Sequence, residues 1–262
     1  TYDSERYARV DAARRAEQDA MLAYEATDGC RLAFLRRALD DPELVDGWAC
    51  GRCDRCGGGL TSVVPVGDGV AAARARLDVP GVELTARRQW PSGMASLGVE
   101  LSGRIPPGEQ AEPGRAVGRL DSLGWGGVLR DVFGTPDDPG ELPVALRRPV
   151  LEVLDAWAPQ VSGVAVVGSA TRPGLVTHLA DGVARHLGVP VVARLTVHGE
   201  PARHDVNSAQ RLAGVARRLG LETSGPLTGP VLLVDDRTDS GWTLTVAARL
   251  LRQAGASEVY PF

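Results

Sequence analysis

Residues 231–243 read Val231-Leu232-Leu233-Val234-Asp235-Asp236-Arg237-Thr238-Asp239-Ser240-Gly241-Trp242-Thr243. Four apolar residues suit a buried strand, which then delivers two adjacent acids at its carboxyl end. Asp239, Ser240 and Gly241 make a turn, and a helical pattern begins at once. Ligands of open α/β sheets sit beyond the carboxyl ends of their strands. The start of a helix offers unpaired backbone N–H groups, and the Ser240 and Thr243 hydroxyls add to them, so this turn reads as a phosphate cradle. The acid pair suits the hydroxyls of a ribose, directly or through Mg²⁺.

Outward from this stretch the chain alternates. The pattern predicts strands at 164–167, 189–197 and 231–234, helices at 175–187, 208–219 and 243–254, and a further strand starting at 258. Such alternation predicts a parallel sheet flanked by helices, an α/β class. The last strand reaches the final residue and the first residue is not Met, so the chain is expected to be a piece of a longer protein.

Composition narrows the classes. The chain has 262 residues, 44% hydrophobic and 24% charged, an ordinary globular balance. No apolar run is long enough to span a bilayer, and the N-terminal stretch lacks the apolar core of a secretory signal. A cytoplasmic location is therefore expected, with no membrane partner. The net charge of −4 argues against a globally basic nucleic-acid coat, though not against local patches. All 29 basic residues are Arg, so a phosphate-loop ATPase motif, which needs Lys, is absent from these residues. The four His residues, His178, His186, His198 and His204, have no metal-site spacing and are expected in surface or core roles.

Four cysteines stand near the start: Cys30, then Cys50, Cys53 and Cys56. One thiol followed by a tight C-x-x-C-x-x-C suits tetrahedral zinc better than a disulfide framework. Four thiolates leave no open coordination position, so the zinc would be structural. Arg52 and Arg55 stand where they would offset its negative charge. Residues 4–27 read as a long polar helix. Asp28 is a candidate cap for a second helix opening at Cys30, and Asp40-Asp41-Pro42 closes it.

The stretch RRAEQDAMLAYEATDGCRLAFLRRAL, followed by CGRCDRC, resembles the zinc-binding module of RecQ-family DNA helicases over about residues 4–57. The resemblance implies an ATP- and Mg-dependent motor before Thr1, DNA as partner, a bacterial-type, nucleoid-associated location, and DNA unwinding and repair as the setting. VDDRTDSGWT resembles the phosphoribosyl pyrophosphate motif of type I phosphoribosyltransferases, and about residues 119–262 look like the ComF-type branch. By that resemblance Asp235 and Asp236 hold the ribose, and Asp239, Ser240, Gly241, Trp242 and Thr243 wrap the 5′-phosphate. Asp239 is the catalytic candidate if transfer occurs. Residues 168–174, with Arg172, fall at the family's pyrophosphate loop, and residues 207–211 at its flexible Arg-bearing loop. Two departures, Arg237 after the acids and the bulky Trp242, bear on transfer more than on binding.

The middle segment is the least patterned. A short helix is expected at 68–77, a strand around Val99 and Leu101, and a helix over 113–123 with Ala116, Leu120 and Leu123 on one face. RecQ-like helicases often carry a winged-helix module here, and by that analogy Arg87, Arg88, Trp90 and Arg104 would face DNA. The competing reading makes Trp90 core and the arginines a solvated face. The expected organisation is a zinc module at 1–58, a linker and winged-helix-like connector at 59–118, and a parallel-sheet phosphoribosyltransferase-like domain at 119–262. The expected function is that of a DNA-engaging or assembly region of a RecQ-like helicase, with structural zinc and a non-catalytic phosphoribosyltransferase-like domain. The alternatives are an active transferase using phosphoribosyl pyrophosphate with Mg, and a homo-oligomerisation scaffold.

Overall fold

A computed structural model describes residues 4–57, 68–199 and 206–262. The chain divides into two compact units, Thr1–Val70 and Ala71–Phe262. The expected linker after the knuckle, and His204, lie outside the described residues.

In the first unit, helix α1 (Ser4–Ala26) is followed by helix α2 (Arg31–Ala38) and a one-turn 3₁₀ helix at Asp54–Cys56. The cap of α2 is Cys30, not Asp28: its sulfur accepts the Ala33 N–H at 3.4 Å. Tyr24 of α1 meets Phe34 of α2 edge-on, with ring centroids 5.7 Å apart. Among the described apolar residues of this unit, Ala33 is the buried one.

The second unit is mixed α/β. Its elements are helix α3 (Asp68–Leu77, entering from the first unit), strands β1 (Val82–Leu84) and β2 (Gly114–Ala116), helices α4 (Gly126–Phe133) and α5 (Val144–Trp157), strand β3 (Gly163–Val167), helix α6 (Pro173–Leu187), strand β4 (Val191–Val197), helix α7 (Ser208–Arg218), strands β5 (Leu219–Thr223) and β6 (Pro230–Val234), helix α8 (Trp242–Gln253) and strand β7 (Glu258–Pro261). The main sheet has order β5-β4-β3-β6-β7. All its pairings are parallel except β4 with β5. Parallel strands are buried on both faces, which is why 163–167 and 231–234 could be apolar throughout.

Alternate residues of β3 and β6 serve two separate cores. Val164, Val166, Leu232 and Val234 pack with residues of α5 and α6. Ala165, Val167, Val231 and Leu233 pack with residues of α7 and α8. The sheet is thus the middle layer of three.

The middle segment corrects the sequence expectation. Residues 71–118 belong to the same unit as the sheet, so no boundary falls near 118. Trp90, Met94, Leu101, Ile105 and Ala111 are part of the core beneath α7 and α8. No strand forms at Val99 and Leu101. In place of a helix over 113–123 there is β2, paired antiparallel with β1, followed by turns, and Leu123 is exposed. The reason is packing: Gly114 lies so close to β7 that a Cβ there would come within 2.3 Å of the Pro261 carbonyl oxygen. The described residues of this segment contain one α-helix, α3, and two one-turn 3₁₀ helices, Ala95–Leu97 and Pro107–Glu109, and do not assemble the helices of a winged-helix module.

Candidate functional site

The four thiols come together as their spacing suggests. The Sγ atoms of Cys30, Cys50, Cys53 and Cys56 all lie within 4.8 Å of one another. A zinc tetrahedron with Zn–S near 2.3 Å has edges of about 3.8 Å, so this donor set fits a structural metal with little movement. Backbone geometry prepares the cluster: the Cys50 N–H donates to Cys30 Sγ at 3.3 Å and holds its thiol below the usual value. Cys53 is opposed by burial, but the backbone at Arg31 and hydrogen bonds from Cys56 and its neighbours outweigh this and bring it to about 6. Cys56, donating to Cys53, is pushed up to about 11. One thiolate is thus favoured before any metal arrives, and deprotonated sulfur is the ligand form.

A residue the sequence did not single out supports this cluster. Arg31 donates to both Asp54 oxygens, at 2.7 and 3.0 Å, and to the Tyr24 carbonyl at 2.6 Å. It also lies over the Tyr24 ring at 5.2 Å. One guanidinium therefore ties the knuckle to the end of α1. Arg55 pairs instead with Asp28, at 3.7 Å, and Asp54, at 3.9 Å. The signal for Arg31 was its position next to the first cysteine, but its acidic partner is 23 residues away.

In the second unit β6 delivers Asp235 and Asp236 beyond the carboxyl edge of the sheet. The Asp235 N–H is held by the Phe262 carbonyl at 3.1 Å, and its Oδ1 accepts the Asp236 N–H at 2.9 Å. Burial raises the Asp235 carboxyl most, and the neighbouring Asp236 charge raises it further, to about 8. Burial raises Asp236 too, against the Ser169 hydroxyl, which donates to it at 3.3 Å, and the Arg172 charge.

The turn after the acids starts α8 as expected. Gly241 takes a left-handed conformation, φ 75°, that an L-residue adopts only with strain, and it caps the helix with no side-chain bond. Ser240 and Thr243 flank this turn and are half-buried. Asp239 is exposed and pairs with Arg211 at 2.8 Å. Arg211 lies in the first turn of α7, behind a capping box made by Asn207 and Gln210, so residues 207–211 open a helix where a flexible loop was expected.

Trp242 does not face the turn. It is 2% exposed, stacks on Trp90 at 6.2 Å and donates its Nε1–H to the Ser208 hydroxyl at 2.9 Å. Arg87 covers its other side, 4.0 Å from the ring centre, and donates twice to the Ser240 carbonyl, at 2.8 and 2.6 Å. Two of the residues assigned to DNA are therefore structural partners of this turn: Trp90 is core, 4% exposed, and cannot stack on a base without unfolding. Arg88 bonds the buried Gln110, and Arg104 is exposed beside a bridge to Gln89.

Arg172 is likewise placed differently from expectation. It is 8% exposed, and its guanidinium donates to the carbonyls of Phe133, at 3.2 Å, and Thr135, at 2.6 Å. At the start of α6 the Gly174 and Leu175 N–H groups donate to the carboxylate of Asp138, at 2.6 and 3.0 Å. The Gly140 N–H, which donates to it at 3.0 Å, together with these two backbone bonds holds Asp138 below the usual carboxylate range. The helix terminus that the sequence offered to a ligand is filled by the chain itself.

His178 accepts the Leu142 N–H, His186 pairs with Asp155 at 2.7 Å, and His198 bonds Thr196, which are the structural roles expected of them. No helix of the described residues is long and apolar enough to cross a membrane. No protein-family model matches the chain, and no curated protein matches it significantly.

Proposed function

We propose that this chain is a C-terminal region of a RecQ-type DNA helicase, in which a zinc-stapled module precedes a phosphoribosyltransferase-like domain that binds a sugar phosphate without transferring it. The observation that carries the ligand reading is the juxtaposition of the Asp235–Asp236 pair with the Gly241 turn at the carboxyl edge of a parallel sheet. The acids would take ribose hydroxyls, directly or through Mg²⁺, whose preference for oxygen donors they meet. Ser240, Thr243 and the first N–H groups of α8 would take the phosphate. Binding without transfer is favoured because Asp138 fills the start of α6 and Arg172 is committed to backbone carbonyls. ATP and its Mg²⁺ would belong to the motor, outside these residues.

Calorimetry with ribose 5-phosphate and with phosphoribosyl pyrophosphate, each with Mg²⁺, tests this. Ser240→Ala with Thr243→Ala should weaken both ligands and inorganic phosphate. Asp235→Asn with Asp236→Asn should weaken the sugar phosphates and spare inorganic phosphate. Absence of binding by the wild-type chain at millimolar ligand leaves assembly as the surviving role, and pyrophosphate release would establish transfer. For DNA, the exposed arginines are the relevant ones. Arg88→Ala with Arg104→Ala should reduce the log–log salt slope of binding by about 1–2 units. An unchanged slope returns them to a solvated surface.

A further inference from the structure

Beside the phosphate turn, and sharing Asp235, Asp236 and Asp239 with it, the second unit holds a cavity of about 490 Å³. Close-packed interiors leave few voids larger than a water molecule, whereas ligand pockets run to roughly 300–1,000 Å³. Its wall includes residues from six places along the sequence: Val82 of β1, Ala116 of β2, Val132 of α4, Leu146 of α5, Leu179 of α6, and Phe262. All six are apolar. A hydrated polyanion gains nothing from such a wall.

Polar groups line it as well. The cavity is bordered by Glu83, Asp121, Asp235, Asp236 and Asp239, against Arg119 and Arg237. Three of these acids already have partners: Glu83 with Arg115 at 3.3 Å, Asp121 with Arg119 at 3.1 Å, and Asp239 with Arg211 at 2.8 Å. The adjacent carboxylates of Asp235 and Asp236 accept the Asp236 N–H and the Ser169 hydroxyl, and neither has an ion pair among the described residues. Arg172 and Arg237 lower Asp236 only in part, because burial still leaves it raised. An incoming cation would relieve both the mutual repulsion and the cost of burial.

We infer that this cavity binds a small organic cation, an apolar body of one or two rings or a short branched chain seated against Val132, Leu146 and Leu179, with its protonated nitrogen on Asp235 and Asp236. The inference goes beyond the sugar-phosphate reading: the two share the Asp235–Asp236 pair, but neither Ser240 nor Thr243, the phosphate side chains, lines the cavity.

The test uses three probes of one shape and different charge: 1-naphthylmethylamine, 1-naphthylmethanol and 1-naphthylacetate, titrated into the full 262-residue chain by calorimetry. The amine should bind at least about tenfold more tightly than the alcohol, and the acetate most weakly. Asp235→Asn with Asp236→Asn should bring amine and alcohol to equal affinity. Val132→Trp, which fills the cavity from α4, should weaken the amine by at least about tenfold. Leu179→Phe is the second filling variant should Val132→Trp fail to fold. Equal affinity for amine and acetate, no binding of any probe at millimolar concentration, or unchanged amine binding in a folded filling variant would overturn the inference. Ribose 5-phosphate with Mg²⁺ should still bind Val132→Trp. Its failure in the wild-type chain, with the amine preference intact, strikes the sugar-phosphate reading alone.

Discussion

The two units are held together by different physics. The first has two helices, a knuckle and one buried apolar residue among those described, Ala33. What converges there is four sulfurs and an arginine that bonds both a carboxylate and a carbonyl. The second buries two apolar layers against a five-stranded sheet. A segment so short buries too little surface to offset its chain entropy, and a metal held by the four sulfurs would supply binding free energy in place of a core. The larger unit needs no such ligand, and it can tolerate an awkward feature at its site, a half-buried acid pair.

The sharpest way to break this contrast is to remove one sulfur. Cys53→Ser, or chelation, should unfold the first unit at 25 °C and leave the sheet unit's thermal transition in place. Metal content by mass spectrometry and hydrogen exchange by segment check it. Protection of α1 and α2 unchanged in metal-free protein would sink the idea that metal replaces core.

The complementary change strikes the sheet unit. Trp242→Ala empties a site packed by Trp90 and covered by Arg87, and large-to-small aromatic changes of this kind cost about 3–5 kcal/mol. The sheet unit's midpoint should fall by about 10 °C, with zinc content per chain unaltered. A loss of zinc in this variant would show that the two units are not energetically separate.

Arg31→Ala should act more gently, and on the first unit. It keeps all four sulfurs but removes the side chain that bonds Asp54 and Tyr24. Outer partners of metal ligands are worth about 10–100-fold in affinity, so zinc should be bound at least about tenfold more weakly, as competition with a chelator would read.

The smallest effect has a distinctive pH dependence. The folded-state value of Asp235 is about 8, against an ordinary 3.8. The folded form therefore favours the protonated acid. The associated stability is fully present below about pH 4 and is lost as pH rises toward 8. Asp235→Asn should raise the midpoint of the sheet unit at pH 8 and change it little at pH 4.5. The side chain is partly exposed, so solvent screening trims the gain. Even 1 kcal/mol corresponds to about 2–4 °C. An equal shift at both pH values would show that the carboxyl is not perturbed by folding.

Legibility in the sequence followed the range of the interactions. Cys50, Cys53 and Cys56 are neighbours, and no long closure was needed to see a metal site in them. The strands at 164–167 and 231–234 were visible because burial on both faces leaves an uninterrupted apolar run. Helices α4 and α5 passed unnoticed: α4 opens on two glycines and α5 contains Pro149, so composition argued against them while the buried faces of Leu129, Leu146 and Leu154 decided for them. Trp90 could be read as core or as a DNA contact, because a tryptophan beside arginines carries no sign of what lies above it. Its partner is 152 residues further on.

The sequence by itself determined the periodic, local features: the α/β alternation, the thiol quartet, the acid pair at a strand end and the glycine that turns the chain into α8. These depend on spacing along one backbone. The tertiary structure decided which groups are already spoken for. It put Asp138 on the start of α6, tied Arg172 to the Phe133 and Thr135 carbonyls, laid Arg87 on Trp242, and gathered β1, β2, α4, α5 and α6 around an apolar cavity. Each of these contacts joins residues separated by tens to more than a hundred positions. Such pairings are selected by how buried surfaces fit after the layers close, and no local pattern encodes them.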